Sequence, residues 1–134
     1  CCKGMKVGSD TMHGKNNWYI VDGYRPPVNP GEATDYEGHE SIMILNCNDQ
    51  DANILIDVYF SDRPPVENIP FVAPAKRITA FRSNDPKVFG DLHLDVGVQY
   101  SLHIRSDIEV IVQYGRLDVN QPNMAYLATL GYGQ

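Results

Sequence analysis

The sequence predicts an all-β protein, a single-domain antiparallel β-sandwich of jelly-roll type with about eight strands. Three observations carry this expectation. Apolar residues alternate with a period of two along most of the chain. Turn-forming residues recur at intervals of roughly ten positions. Strand patterns do not alternate with long helical ones, which excludes a parallel α/β sheet. The 134 residues are enough for one core. They divide into a flexible N-terminal extension, residues 1–16, and a sandwich domain, residues 17–134.

The elements follow in order. Residues 17–21 read as the first strand, closed by Asp22-Gly23, and a Pro/Gly-rich loop without periodicity runs from Arg25 to Gly38. Ile42 to Leu45 is apolar on both faces. Ile54, Ile56, Val58 and Phe60 share one face of the next strand, with Asp57 and Tyr59 on the other. The polar run Asn46 to Asp51 between these two arms predicts a hairpin. Arg63-Pro64-Pro65 forces a break, and strands at 66–73 and 76–83 are divided by Pro74. Asn84-Asp85-Pro86 marks a loop over 83–91. Val96, Val98, Tyr100, Leu102 and Ile104 alternate cleanly, and Ser106-Asp107 turns the chain into a further strand through Ile108, Val110, Val112 and Tyr114. Met124 to Leu130 fits helix or strand, and the β surroundings favour strand. Arms apolar on both faces predict that a subunit interface covers the second face.

Bulk properties narrow the function. A net charge of −6, with 11 Lys and Arg among 17 acids, argues against nucleic-acid binding. No apolar run approaches the ~18 residues of a membrane span, so no membrane insertion is expected. The sequence begins at Cys1 rather than methionine. Removal of an initiator is the simpler expectation, with free thiols in a cytoplasmic protein. The alternative is a secreted or cell-surface protein processed from a leader, with Cys1 and Cys2 free to form an intermolecular disulfide.

Candidate chemistry is sparse. His39-Glu40 reads as a strand-start pair pointing to opposite faces, with one polar end wet. His93-x-Asp95 supplies half a metal site, and no recognisable spacing supplies the rest. His13 and His103 are isolated. No nucleophile elbow and no phosphate loop follow a strand. The expectation is therefore a non-catalytic protein without cofactor or metal. Arg116-x-Asp118 shares a face in an extended segment and forms a fork able to fix a loop or to hold a polar ligand. Gln121 and Asn123 lie close by in sequence. Trp18, with Tyr24 near it, is either buried or a stacking platform for a sugar.

Five segments in order, Trp18-Tyr-Ile-Val-Asp-Gly-Tyr24 with Pro26, the 39–62 unit, Asp62-Arg-Pro-Pro-Val66, Val72-Ala-Pro-Ala-Lys-Arg77 and Ile111-Val-Gln-Tyr-Gly-Arg-Leu-Asp118 with Gln121, resemble the sensory rhodopsin transducer family. The resemblance runs from about Trp18 to Tyr132 and departs in the extension Cys1 to Asn17 and the longer loop Val28 to Gly38. It implies a homotetramer and a partner such as a membrane receptor. Sugar binding, of which the family is suspected, is implied only by analogy of fold. Arg77 and Asp62, within family-like segments, are expected to converge with Arg116 and Asp118 at one end of the sandwich. The resulting reading is an oligomeric binding or adaptor protein in sensory signal transduction. The alternatives are a carbohydrate-binding module and a self-assembling filament subunit cross-linked through its N-terminal cysteines.

Overall fold

The computed structural model describes residues 13–27, 37–119 and 125–134. Among them eight strands and a one-turn helix follow in the order β1 (Lys15–Tyr24), β2 (His39–Asn46), β3 (Ala52–Phe60), β4 (Val66–Ala73), β5 (Arg77–Arg82), α1 (Pro86–Phe89), β6 (Gln99–Asp118), β7 (Ala125–Leu130) and β8 (Tyr132–Gly133). They build two antiparallel sheets that share one strand. The first runs β4-β3-β6-β1-β8. In the second, β2 lies between β5 and β6, and β7 pairs with the opposite edge of β6. The all-β sandwich expected from the sequence is the architecture observed.

The strand that belongs to both sheets is β6. Residues 99–106 pair with β1 and β3, and residues 111–118 with β2 and β7. The sequence predicts two strands parted by a turn at Ser106-Asp107. The structure instead has one continuous strand that bends there and passes from sheet to sheet. The Asp107 carboxylate accepts from the backbone N–H and the side chain of Asn53, at 2.8 and 2.9 Å, which holds the bend against β3. Val96 and Val98 lie before the strand and are exposed.

A second correction concerns the polar run 46–51. It does not close a hairpin, because β2 and β3 lie in opposite sheets and do not pair. Both are apolar on their inward faces, so they pack face to face across the core. Ile42 and Ile44 belong with Ile54, Ile56, Val58, Leu102, Ile104, Val110 and Val112 to one buried cluster. The crossover is organised by Asn46, whose buried side chain donates to the carbonyls of Gln50 (2.8 Å) and Ala73 (2.9 Å) and accepts from Asn48. Asn48 in turn donates to the Glu109 carbonyl at 2.6 Å, joining this crossover to the bend of β6. Beside this junction lies a surface hollow of about 380 Å³, bounded by Asn48, Asp49 and Gln50 of the crossover and by Asp107, Ile108 and Glu109 of the bend.

Two smaller differences have local causes. The predicted loop at 83–91 contains α1, because Asp85 caps it, accepting from the Lys87 N–H at 2.9 Å, and Pro86 supplies a preset φ at its start. The predicted extension ends earlier than expected, since Lys15 and Asn16 already belong to β1.

Trp18 is 4% exposed, and its indole N–H donates to the Val110 carbonyl at 2.8 Å and the Lys15 carbonyl at 3.1 Å. Gly131 and Gly133 pack on its ring, and a Cβ on Gly133 would come within 3.0 Å of it. Trp18 is a core residue that satisfies a carbonyl at the bend of β6, and it offers no open face for a sugar. Trp18→Phe keeps an aromatic ring and leaves these acceptors unpaired. It should lower stability by about 1–3 kcal/mol in urea unfolding, without broadening into a second transition.

Candidate functional site

The other end of the sandwich is open, and a buried carboxylate organises it. Glu40 begins the buried part of β2 and is 1% exposed. Its Oε1 accepts from Ser83 Oγ and Tyr100 Oη, both at 2.8 Å. Its Oε2 accepts from the Tyr24 backbone N–H at 2.7 Å and from Tyr114 Oη. A carboxylate has about four acceptor sites, and here all are used. Both tyrosine hydroxyls are pushed well above their ordinary value of 10.0, by burial first and then by the Glu40 charge and the hydrogen bond each donates to it. They remain donors throughout the accessible pH range. Gly23 leaves the space that Tyr100 needs, since a Cβ there would sit 2.5 Å from the ring.

Outside this buried cluster lies a surface pocket of about 440 Å³ lined by Asp22, Tyr24, Gly97, Gln99, Arg116 and Asp118. The Arg116 guanidinium lies 5.2 Å from the centre of the Tyr24 ring. Gln99 donates to Asp22 at 2.8 Å. This mouth brings together three of the residues singled out from the sequence: Tyr24, Arg116 and Asp118. Asp62 lines an adjoining hollow that shares Gln99 with the mouth.

Arg77 does not join them. It pairs with Asn46 while Arg116 pairs with Glu40. The two arginines are therefore separated by six residues of β2, roughly 20 Å at ~3.3 Å per residue, and Arg77 lies toward the end where β2 crosses to β3. Trp18 is in the core. Asn123, Gln121, Cys1 and Cys2 lie outside the described residues. Cys47 is a half-buried free thiol in the crossover. His93 and Asp95 are exposed and 3.3 Å apart. Among the described residues no three His, Cys, Asp or Glu side chains group to hold a metal ion, and no helix is long and apolar enough to cross a membrane.

Two sites are not apparent from the sequence. One is Glu40, read there as a strand-start residue; its partners come from 16 to 74 residues away. The other is a polar row across the outer face of the first sheet, where Asp57, His103, Tyr19 and Tyr132 occupy successive cross-strand positions. Arg105 donates to Asp57 at 2.7 Å and to Asn68 at 2.6 Å. The Asn68 backbone N–H also reaches Asp57, at 2.8 Å. His103 stacks on Tyr19 with ring centres 4.4 Å apart, pairs with Asn17 at 3.0 Å, and lies 3.7 Å from the Asp57 carboxylate. Alternation alone marks Asp57 as outward-facing, although it is only 4% exposed.

Burial pulls the His103 imidazole below its ordinary 6.5; nearby Asp57 opposes this and Arg105 reinforces it. Burial would raise Asp57, but hydrogen bonds from Arg105 and Asn68 and the charges of Arg105 and His103 hold it below 3.8. Between the lowered native value of His103 and 6.5, the unfolded chain binds a proton that the native one does not. Stability from this source is complete above 6.5 and falls as pH drops through that window. The Asp57 contribution is present above 3.8 and is lost only at more acid pH. His103→Gln should therefore show a smaller loss of unfolding midpoint than the parent as pH falls from neutral to below 6.5, and, because the His103 charge also helps to hold Asp57 low, a reduced loss in more acid solution as well. Glu40→Ala orphans three buried hydroxyl donors, at ~1–3 kcal/mol each, and the part-buried Tyr24 N–H. It should remove the cooperative thermal transition or lower it steeply.

Comparison with known proteins gives a consistent picture. The family model described as Anabaena sensory rhodopsin transducer matches residues 13–133. A solved Thermotoga maritima protein, 1070, superposes with a TM-score of 0.77 at 28% sequence identity, covering 92% of this chain and 97% of its own. The solved Anabaena sensory rhodopsin transducer superposes with a TM-score of 0.67 at 33% identity, covering 78% of this chain and 90% of its own. No curated protein sequence matches the chain.

Proposed function

The chain belongs to the Anabaena sensory rhodopsin transducer family, and from that starting point we propose that it is a non-catalytic, cytoplasmic adaptor. In this reading it works as a closed homo-oligomer, a tetramer. The open mouth with Tyr24, Arg116 and Asp118 contacts the soluble face of a membrane receptor or a small polar ligand.

The observation that carries this reading is β7. All six of its residues are exposed, on both faces of the strand, and none is charged in a chain of net charge −6. Tyr126, Leu127 and Leu130 lie on it, the last 61% exposed. Val21, 70% exposed, and Tyr132 stand across a groove of about 280 Å³. An uncharged edge strand is a template for pairing, and an apolar patch of this kind marks an interaction surface. The edge strand β4, by contrast, carries Glu67, Pro70 and an Asn68 at φ +63°, features that discourage pairing. A second copy of the chain, neutral at the same place, suits β7, and closed symmetry then ends the assembly.

The polar chemistry supports binding over catalysis. Glu40, the most deeply buried acid, has its acceptor sites filled by four donors, whereas a general base needs a lone pair within reach of substrate. A carbohydrate-binding reading loses its platform with Trp18 in the core.

Native mass by light scattering behind a sizing column tests the proposal. A single tetramer-sized species, unchanged by reductant, is expected. Polydisperse assemblies that shrink on reduction would instead indicate a cross-linked structural subunit. Leu130→Lys removes ~1.5–3 kcal/mol of apolar burial per subunit and adds like charge. It should weaken association at least tenfold and yield smaller species. Arg116→Ala should leave the mass intact while abolishing binding at the mouth. Loss of the oligomer in Arg116→Ala would show that this arginine is a structural tie.

A further inference from the structure

The open end of the sandwich is bridged by segment 90–98, which leaves α1 and leads into β6. Near both ends it has a glycine in the left-handed region, Gly90 at φ +60° and Gly97 at φ +79°. Neither glycine is there to make room. A Cβ on Gly90 would meet nothing within 4 Å, and one on Gly97 would meet only the Tyr24 hydroxyl at 3.8 Å. It is the backbone path that demands glycine at these two points. Between them the segment is exposed, apart from Leu94, which is buried in the core cluster, and half-buried Leu92.

Two hydrogen bonds tie this segment to the chain that follows β1, and both run through Arg25. Its guanidinium donates to the Leu94 carbonyl at 2.8 Å, and its own carbonyl accepts from the Gly97 N–H at 2.9 Å. A segment anchored only by buried Leu94 and half-buried Leu92, and otherwise exposed, opens locally at low cost.

The position of the segment gives that opening a consequence. Leu94, Asp95 and Val98 wall a small hollow of about 80 Å³ against Gln99 and Tyr100. Gly97 walls the mouth, and Gln99 lines both spaces. Beneath the partition, the Tyr100 hydroxyl is bonded to Glu40. We propose that segment 90–98 is a hinged strap, latched by Arg25, whose release joins the hollow and the mouth into one cleft floored by Tyr100 and Glu40. This rests on the reading of the mouth as the contact site and adds its regulation. A cleft of this size takes a small polar molecule in preference to a protein surface. A closed strap lowers apparent affinity in proportion to the fraction of molecules that are open.

Hydrogen–deuterium exchange on the whole oligomer, resolved by peptide, tests the strap. Arg25→Ala should accelerate exchange across 94–98 about tenfold and leave Leu102 and Ile104 in β6 unchanged. If Arg25→Ala does not fold, Gly97→Ala provides the same test, since it strains φ without any steric contact and should loosen the same residues. Equal acceleration in strap and β6, or no acceleration in the strap, overturns the proposal. Ser83→Cys, beside Glu40, then reports access to the floor. Its alkylation by iodoacetamide, followed by peptide mass, should rise with Arg25→Ala in parallel with strap exchange. A faster strap with no gain in labelling at position 83 would reduce the segment to a loose surface loop and also overturn the proposal. If the mouth were not a contact site, Arg116→Ala would leave binding unaffected and these exchange results would stand. The two ideas therefore fail separately.

Discussion

The Glu40 carboxylate is the constraint on which the rest of the molecule depends. A charge placed in a sandwich interior is tolerated only when its acceptor sites are filled, and the four donors that fill these come from both sheets. Tyr24 belongs to β1 of the first sheet, Glu40 itself to β2 of the second, and Ser83 follows β5. Tyr100 and Tyr114 lie on the two halves of a single strand, 14 residues apart. Laid straight, that stretch would span roughly 46 Å at ~3.3 Å per residue, far beyond what two tyrosine side chains bridge. Both hydroxyls reach one carboxylate only because β6 bends back and its halves face each other. Glu40 thus ties the two sheets together, with hydrogen bonds, at this end of the sandwich.

The opposite end is tied together by the chain itself. There the β2–β3 crossover and the bend of β6 are joined by the Asn48 side chain on the Glu109 carbonyl. A bend leaves backbone carbonyls without ladder partners, and one buried without a partner costs about as much as a lost hydrogen bond. The indole of Trp18 takes up the Val110 carbonyl. Gly14 passes so close that a Cβ would lie 2.0 Å from the same oxygen. One residue type with an N–H and a large apolar body fills the core and repairs the ladder together. This accounts for a tryptophan at this position without recourse to a ligand.

Much of this was legible in the sequence, and the failures have specific causes. Strand content followed from alternation, because one-sided burial imposes a period of two wherever it occurs. The bend was misread as a boundary because Ser106-Asp107 is turn chemistry. Phase held the better signal: buried positions from Tyr100 to Tyr114 fall on even numbers straight through the bend, as one uninterrupted strand requires. The false hairpin had the converse cause. Two arms apolar on their inward faces can lie side by side in one sheet or face to face across a core, and local pattern does not separate these. Glu40 and Asp57 were hidden because their partners are distant in sequence, whereas the mouth was partly visible because Arg116 and Asp118 share a strand.

The mouth and the uncharged edge are mechanically one object. Arg116 pairs with Glu40 on one side and Leu127 of β7 on the other, and Asp118 pairs with Ala125. Whatever fixes the last residues of β6 therefore fixes both the charged rim of the mouth and the register of the uncharged edge strand β7. Glu40 does this from within, through Tyr114, two residues before Arg116 on the same face. Under the proposed function, a contact site held in a defined relation to neighbouring subunits belongs on a rigid element shared with the interface, not on a loop. The mobile component is left to segment 90–98, which touches the mouth from the other sheet's side through Gly97 and can shift without disturbing the β6–β7 pairing. That division places a rigid rim, fixed by the β6–β7 pairing, beside the proposed strap, so that a change in access at the mouth need not alter the edge strand.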